Sequence, residues 1–213
     1  MKELESIKNQ LNDKKALSIA TLNQESTALI VIDMVNGFAK SGNLYSDRIE
    51  AIIPSVVKTT TLFDKYEKLF VADTHEEHAA EFEAYLPHCV GNESEVVDEL
   101  KILYDDNSTV IPKNSTNGFL APAFQQWFDA NKDKYNQYVL IGDCTDICIL
   151  QFALSLKAYY NEHNKNSRII VPIDGVETYH LDLNNHYGDL MNMFALYNME
   201  LNGVELVKSI THA

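Results

Sequence analysis

The sequence predicts an α/β fold: one domain on a six-stranded, mostly parallel sheet with helices on both faces. Three observations carry this. Short apolar runs such as Ala28-Leu-Ile-Val-Ile32 lack the polar/apolar alternation of a half-exposed strand, so these strands are buried on both sides. Segments of helical apolar spacing lie between them, and strands alternating with helices make a parallel sheet covered above and below. The 213 residues suffice for one sizeable core and are too few for two ordinary domains.

The elements follow in order. Leu4, Ile7 and Leu11 set an amphipathic helix over residues 2–13. Residues 1–25 read as a helical appendage, packed on the domain of residues 26–213 or on a neighbouring copy in a homo-oligomer. Ala28–Ile32 is the first strand, and Ile52, Val56 and Phe63 place a helix over residues 47–65. Leu69–Ala72 and Thr109–Pro112 are the second and third strands, followed by a helix over residues 121–131. Tyr138–Ile141 is the fourth strand, and Cys148, Phe152, Leu156 and Tyr159 share one face of the helix after it. Ile169–Ile173 is the fifth strand, residues 184–197 are helical, and Val204–Val207 is an edge-like sixth strand. There is no internal repeat and no low-complexity linker.

Composition narrows the function. A net charge of −14 argues against nucleic acid, whose phosphates demand Lys and Arg, and favours neutral or cationic small partners. Three cysteines give no disulfide framework and suit a reducing cytoplasm. The N-terminal residues Met1–Lys8 carry charges where a secretory leader has an apolar stretch. No run reaches the roughly 18 apolar residues of a membrane span. The expectation is a cytoplasmic protein with a small-molecule partner, no nucleic acid and no membrane.

In parallel sheets ligands bind beyond the carboxyl ends of the strands. Asp33 follows the first strand, Asp73-Thr-His75 the second, Lys113 the third, and Cys148 the fourth. Singly, each has a plain structural reading: a turn cap, surface polar groups, a solvated charge, a small buried apolar residue. Together they fit nucleophilic catalysis, with a thiol, a carboxylate to take its proton and a lysine to keep that carboxylate ionised. A thiol opening a helix meets free N–H groups and the positive dipole end, both of which favour thiolate. Asp73 and His75, at i and i+2, point the same way and can share one ion. His88 follows Pro87 on a constrained turn, and Glu81 or Glu83 could reach inward. Such ligands suit Zn, Mn or Fe and leave positions open for water or substrate. His78 is expected to face solvent and Cys89 the core.

From Ala28 to Val207 the chain resembles the isochorismatase-like cysteine hydrolases, and within them the nicotinamidases. Asp33 and Phe38 match the family's Asp-x-x-x-x-Phe, Lys113 its lysine, and Thr145-Asp146-Ile147-Cys148 its Thr-Asp-x-Cys. Asp73, His75 and His88 match the metal triad of nicotinamidases, and Glu81 a fourth or outlying ligand. The resemblance implies that Asp33 takes the proton of Cys148, whose thiolate attacks an amide carbonyl while Lys113 fixes Asp33. The N–H groups of Cys148 and Cys144 would hold the oxyanion, the latter placed by a cis peptide between Asp143 and Cys144. Ammonia then leaves and water hydrolyses the thioester, converting nicotinamide to nicotinate. One divalent metal, zinc first and Mn or Fe as alternatives, would hold the pyridine nitrogen, with the ring between Phe38 and Tyr85. Val35 and Gly37 stand where the family often has Gln and Asp, Gly91-Asn92 replaces a common Gly-Thr, and Tyr85 stands where Trp is frequent. The alternatives are another small-amide hydrolase or an isochorismate hydrolase of the same superfamily, and a non-catalytic metal-binding protein.

Overall fold

A computed structural model describes residues 2–212. Seven strands form the main sheet: β1 (Thr27–Ile32), β2 (Glu67–Asp73), β3 (Ser108–Lys113), β4 (Gln137–Asp143), β5 (Arg168–Pro172), β6 (Val176–Glu177) and β7 (Glu205–Val207). Their order is β3-β2-β1-β4-β5-β7, with β6 paired to the end of β4, and every pairing is parallel. The extra strand, β6, has two residues, too few for any periodicity to announce it. The longer helices are α1 (Lys2–Asn12), α2 (Asp47–Leu62), α3 (Pro122–Asn131), α4 (Leu150–Glu162) and α5 (Gly188–Leu201).

The two faces of β1 show how the sheet is covered. Ala28, Ile30 and Ile32 pack with Phe124 of α3, Phe152 and Leu156 of α4 and Met199 of α5. Leu29 and Val31 pack with Ile49, Ile53 and Val56 of α2. The period-2 alternation of side chains thus builds two cores, one on each face. Leu11 of α1 is buried in the first of them, and Leu17–Ser18 pairs in parallel with Ile210–Thr211 at the second, where Ile210 is buried.

Three expectations change. β3 is an edge strand with Val110 exposed, so burial on both faces holds for β1, β2, β4 and β5 only. Helix α5 begins at Gly188, four residues later than its spacing suggested, because Leu181 and His186 form a two-residue antiparallel bridge ahead of it. The fifth strand stops at Pro172, and Ile173 begins a 3₁₀ turn.

Crossovers after β1 and β4, adjacent strands, leave toward opposite faces. The crevice between their carboxyl ends is the topological switch point where such sheets bind ligands. Gly142 permits the close approach there: at φ +117° it takes a conformation L side chains avoid, and a Cβ would lie 1.9 Å from the Ile32 carbonyl oxygen.

At the opposite end of the sheet, Lys68 is buried with its Nζ 2.6 Å from Asp105 Oδ2 and near the carbonyls of Phe63 and Asp64. Lys68→Met keeps the stem and strips these acceptors of their donor. It should cost about 2 kcal/mol and lower Tm by roughly 5 °C with activity unchanged, as read by thermal denaturation. An unaltered Tm would mean the carbonyls are satisfied without it.

Candidate active site

Four strand ends bring the site together. The register pairs Asp73 with Lys113, the last residues of β2 and β3. Lys113 Nζ donates to Asp73 Oδ1 at 2.6 Å and stands 3.0 Å from Asp33 Oδ2, an ion pair off the hydrogen-bond direction. Asp33 follows β1 at φ +56°, its amide bonded to the Val71 carbonyl, and is wholly buried. One ammonium therefore serves two carboxylates, and all three groups are shut from solvent.

Burial, opposed by Lys113 and the nearby Cys148 thiol and reinforced by the charge of Asp73, brings the Asp33 carboxyl up to about 6. A base with this ionisation becomes competent as pH rises through about 6. The kcat/KM profile should accordingly fall on the acid side with a midpoint near 6. A flat profile down to pH 4.5 would remove Asp33 as the proton acceptor. Lys113 is held well above its ordinary value: burial opposes its charge, but Asp33, Cys148 and Asp73 outweigh burial.

Cys148 lies in one turn of π-helix, Thr145–Ile149, that runs into α4. The π register gives the Cys144 carbonyl to the amides of Ile147 and Ile149. The expected thiolate bias of a helix start is overturned. Burial raises the Cys148 thiol well above its ordinary value, Lys113 lowers it, and Asp33 raises it further. At rest the side chain is a thiol, so a nucleophilic role would need an adjacent base. The Asp143–Cys144 peptide is cis, as the resemblance implied.

Asp73, His75 and His88 place one ligand atom each within 4.8 Å of one another. His75 Nε2 and His88 Nε2 both lie 3.0 Å from Asp73 Oδ2. The Leu86 carbonyl, 2.7 Å from His88 Nδ1, only accepts, so His88 donates from Nδ1 and turns Nε2 inward. His75 Nδ1 is likewise fixed from behind, 2.7 Å from Asn114 Oδ1. Burial opposes charge on Asp73, but Lys113 and the two neighbouring histidines hold it well below the usual carboxylate range. Burial lowers the pKa of His75, but Asp73, Asn114 and Glu81 together raise it above its ordinary value. Two imidazole nitrogens and a carboxylate oxygen aimed at one point, each ring held by its other nitrogen, fit Zn, Mn or Fe.

The remaining expected residues are placed as follows. Glu81 stands outside this ligand cluster: its Oε2 accepts from the Thr116 amide at 3.0 Å on the cavity wall. Glu83 is exposed, His78 faces solvent, and Cys89 is buried. Phe38 and Tyr85 both border the cavity and His88, with ring centroids 5.5 and 6.1 Å from it. Gly37 has a reason to lack a side chain, since a Cβ would meet Cys89 Sγ at 3.0 Å and Glu93 at 3.2 Å.

Phe38, Asp73, Tyr85, His88, Lys113 and Cys148 line one cavity of about 470 Å³, with Asp33 and His75 buried outside its lining, together with residues to which the sequence gave no side-chain role: Asp143, Tyr179, His180 and Asn184. Asp143 ends β4, ahead of the Cys148 motif. The other three follow β6, too short to be read as a strand whose end could matter. The acidic and basic side chains of the wall are Asp47, Asp73, Glu81, Asp143 and Lys113, besides two histidines, His88 and His180, and burial holds the Asp143 carboxyl well above its ordinary value. Lys113 is the only Lys or Arg among the described lining residues.

Residues 27–206 match the family model described as an isochorismatase domain. The chain is 29% identical over 226 residues to Nicotinamidase 1 of Arabidopsis thaliana, covering 89% of each. The pyrazinamidase/nicotinamidase of Streptococcus mutans superposes with a TM-score of 0.72 at 21% identity, over 85% of this chain and 100% of that one. The pyrazinamidase of Pyrococcus horikoshii in complex with zinc gives a TM-score of 0.68 at 22% identity, over 86% and 99%.

Proposed function

The chain belongs to the isochorismatase family of hydrolases, and from that premise we propose that it hydrolyses nicotinamide to nicotinate and ammonia through a thioester at Cys148. One observation carries the reading: Lys113 joins Asp33, the base beside the thiol, to Asp73, a member of the Asp/His/His cluster. Hydrolysis and cation binding are thereby tied to one cavity.

Asp33 accepts the proton of the Cys148 thiol as Sγ bonds to the amide carbon. The amides of Cys144 and Cys148 receive the developing oxyanion. Asp33 returns the proton to the leaving nitrogen, and ammonia departs. Asp33 then takes a proton from the water that opens the thioester, restoring the thiol. Lys113 keeps Asp33 ionised and aimed throughout. A metal held by Asp73, His75 and His88, zinc first among candidates, would supply a Lewis-acid seat for a ring nitrogen. Phe38 and Tyr85 orient the ring so that the carboxamide faces Cys148.

The wall disfavours isochorismate, a dicarboxylate, which would meet several carboxylates and an ammonium already shared by two others. Another small neutral amide remains the alternative. No helix among the described residues is long and apolar enough to cross a membrane, and three free thiols suit the reducing cytoplasm we assign to it.

The test is ammonia release from nicotinamide and from benzamide, side by side, on metal-analysed protein. Nicotinamide should be turned over at least about a hundredfold faster (~2.7 kcal/mol). Equal rates would end the ring-nitrogen role, and no release from nicotinamide would end the substrate assignment.

A further inference from the structure

The segment between β6 and α5 forms a wall of the cavity. Tyr179, His180, Leu181 and Asn184 all face it. The segment is fastened to the turn carrying the nucleophile. His186 Nε2 lies 2.9 Å from Asp146 Oδ2, and Thr178 donates to Asp146 Oδ1 at 2.5 Å. Asp146 is two residues before Cys148 and nearly buried, as is His186, with side-chain exposures of 5% and 10%. The other nitrogen of His186, Nδ1, is 3.0 Å from the Tyr179 carbonyl. The Tyr179 ring stacks on the His186 ring at 3.8 Å and 7°. A polar latch thus sets the height and tilt of one aromatic face, whose other side turns to the cavity.

Tyr85 is the counterpart. Both rings line the same cavity. They make no ring-to-ring contact with each other, and the cavity they share is the slot open to a planar ring. Planar aromatic partners gain from stacked or edge contacts of this kind.

We propose that Tyr179 is a specificity-determining residue that grips the planar ring of the substrate from the side facing Tyr85, and that His186 and Asp146 are its positioning residues. This rests on the aromatic-amide reading above.

The experiment measures steady-state kinetics on nicotinamide, and alkylation of Cys148 by iodoacetamide, a ring-free reagent that should not use the slot. Tyr179→Ala should raise KM about tenfold with kcat within about threefold of wild type and alkylation unchanged, while Tyr179→Phe keeps the wild-type KM. His186→Ala should raise KM similarly, and the double variant should be no worse than Tyr179→Ala, because the latch acts through that ring. An unchanged KM in Tyr179→Ala, or losses that add in the double variant, would overturn the proposal. Should His186→Ala fail to fold, the two Tyr179 variants decide alone. A wild-type protein that releases no ammonia from nicotinamide, and whose Cys148 nicotinamide does not protect, overturns the substrate reading and the grip with it.

Discussion

Cys148→Ala is expected to lower the turnover of any amide substrate by roughly 10⁴-fold or more while leaving Tm within about 3 °C of wild type. The reason lies in how the thiol is held. Burial and two nearby carboxylates keep it protonated at rest, so no other group in the cavity stands ready as a nucleophile when it is gone. Cys144 is close by and just as buried, but its ionisation is raised by burial and by Asp143 and Asp146, and its Sγ leans toward Asp143 Oδ1 at 3.7 Å. Cys144→Ala should therefore keep activity within about tenfold (~1.4 kcal/mol), since its amide survives the change. Ammonia release with each variant, alongside thermal denaturation, is the measurement. Turnover by the Cys148→Ala protein at a tenth of wild type would dismiss the thioester route.

The second large effect is expected at Lys113. Its ammonium is 2.6 Å from Asp73 and 3.0 Å from Asp33 with all three side chains buried. Lys113→Ala leaves two carboxylates facing each other without a cation, a costly arrangement in a dry site. Asp33 loses the charge that lowers its pKa and should shift above 6. The acid limb of the pH profile then moves up, and kcat at pH 7 drops by about 10³-fold, near 4 kcal/mol. Asp73, no longer shared with an ammonium that also repels a cation, should bind metal more tightly, which metal analysis after dialysis reads directly. A variant with wild-type metal content and an unmoved acid limb would show that the lysine does not link the two halves of the site.

Much of this was legible in the chain. Asp33, Asp73, His75, Lys113 and Cys148 could be collected from linear text because each follows an apolar run, and a parallel sheet delivers every such position to one edge. His88 was found through its neighbour Pro87. The ionisation of Cys148 was not legible: helix position argued for a thiolate, but the sign depends on burial and on carboxylates that only the folded chain brings close. Glu81 was expected, from its place after His75 and from the resemblance, as a fourth or outlying ligand; it lies outside the Asp73, His75 and His88 cluster and accepts from the Thr116 amide. The wall after β6 escaped notice because two residues carry no period. The edge status of β3 escaped because an apolar run reads alike whether one neighbour or two pair with it.

The charge of the cavity wall bears on how the cycle ends. In the proposed reaction a neutral amide enters a pocket walled by Asp73 and Glu81 beside the Lys113 ammonium, with Asp33 buried outside the lining. Hydrolysis then converts the guest into an anion beside Asp33. The acid would then face the Asp33 carboxylate, while a cation held by Asp73, His75 and His88 would offset that repulsion. Feedback by the acid should accordingly depend on metal loading, weaker in the metal-stripped protein than in the loaded one.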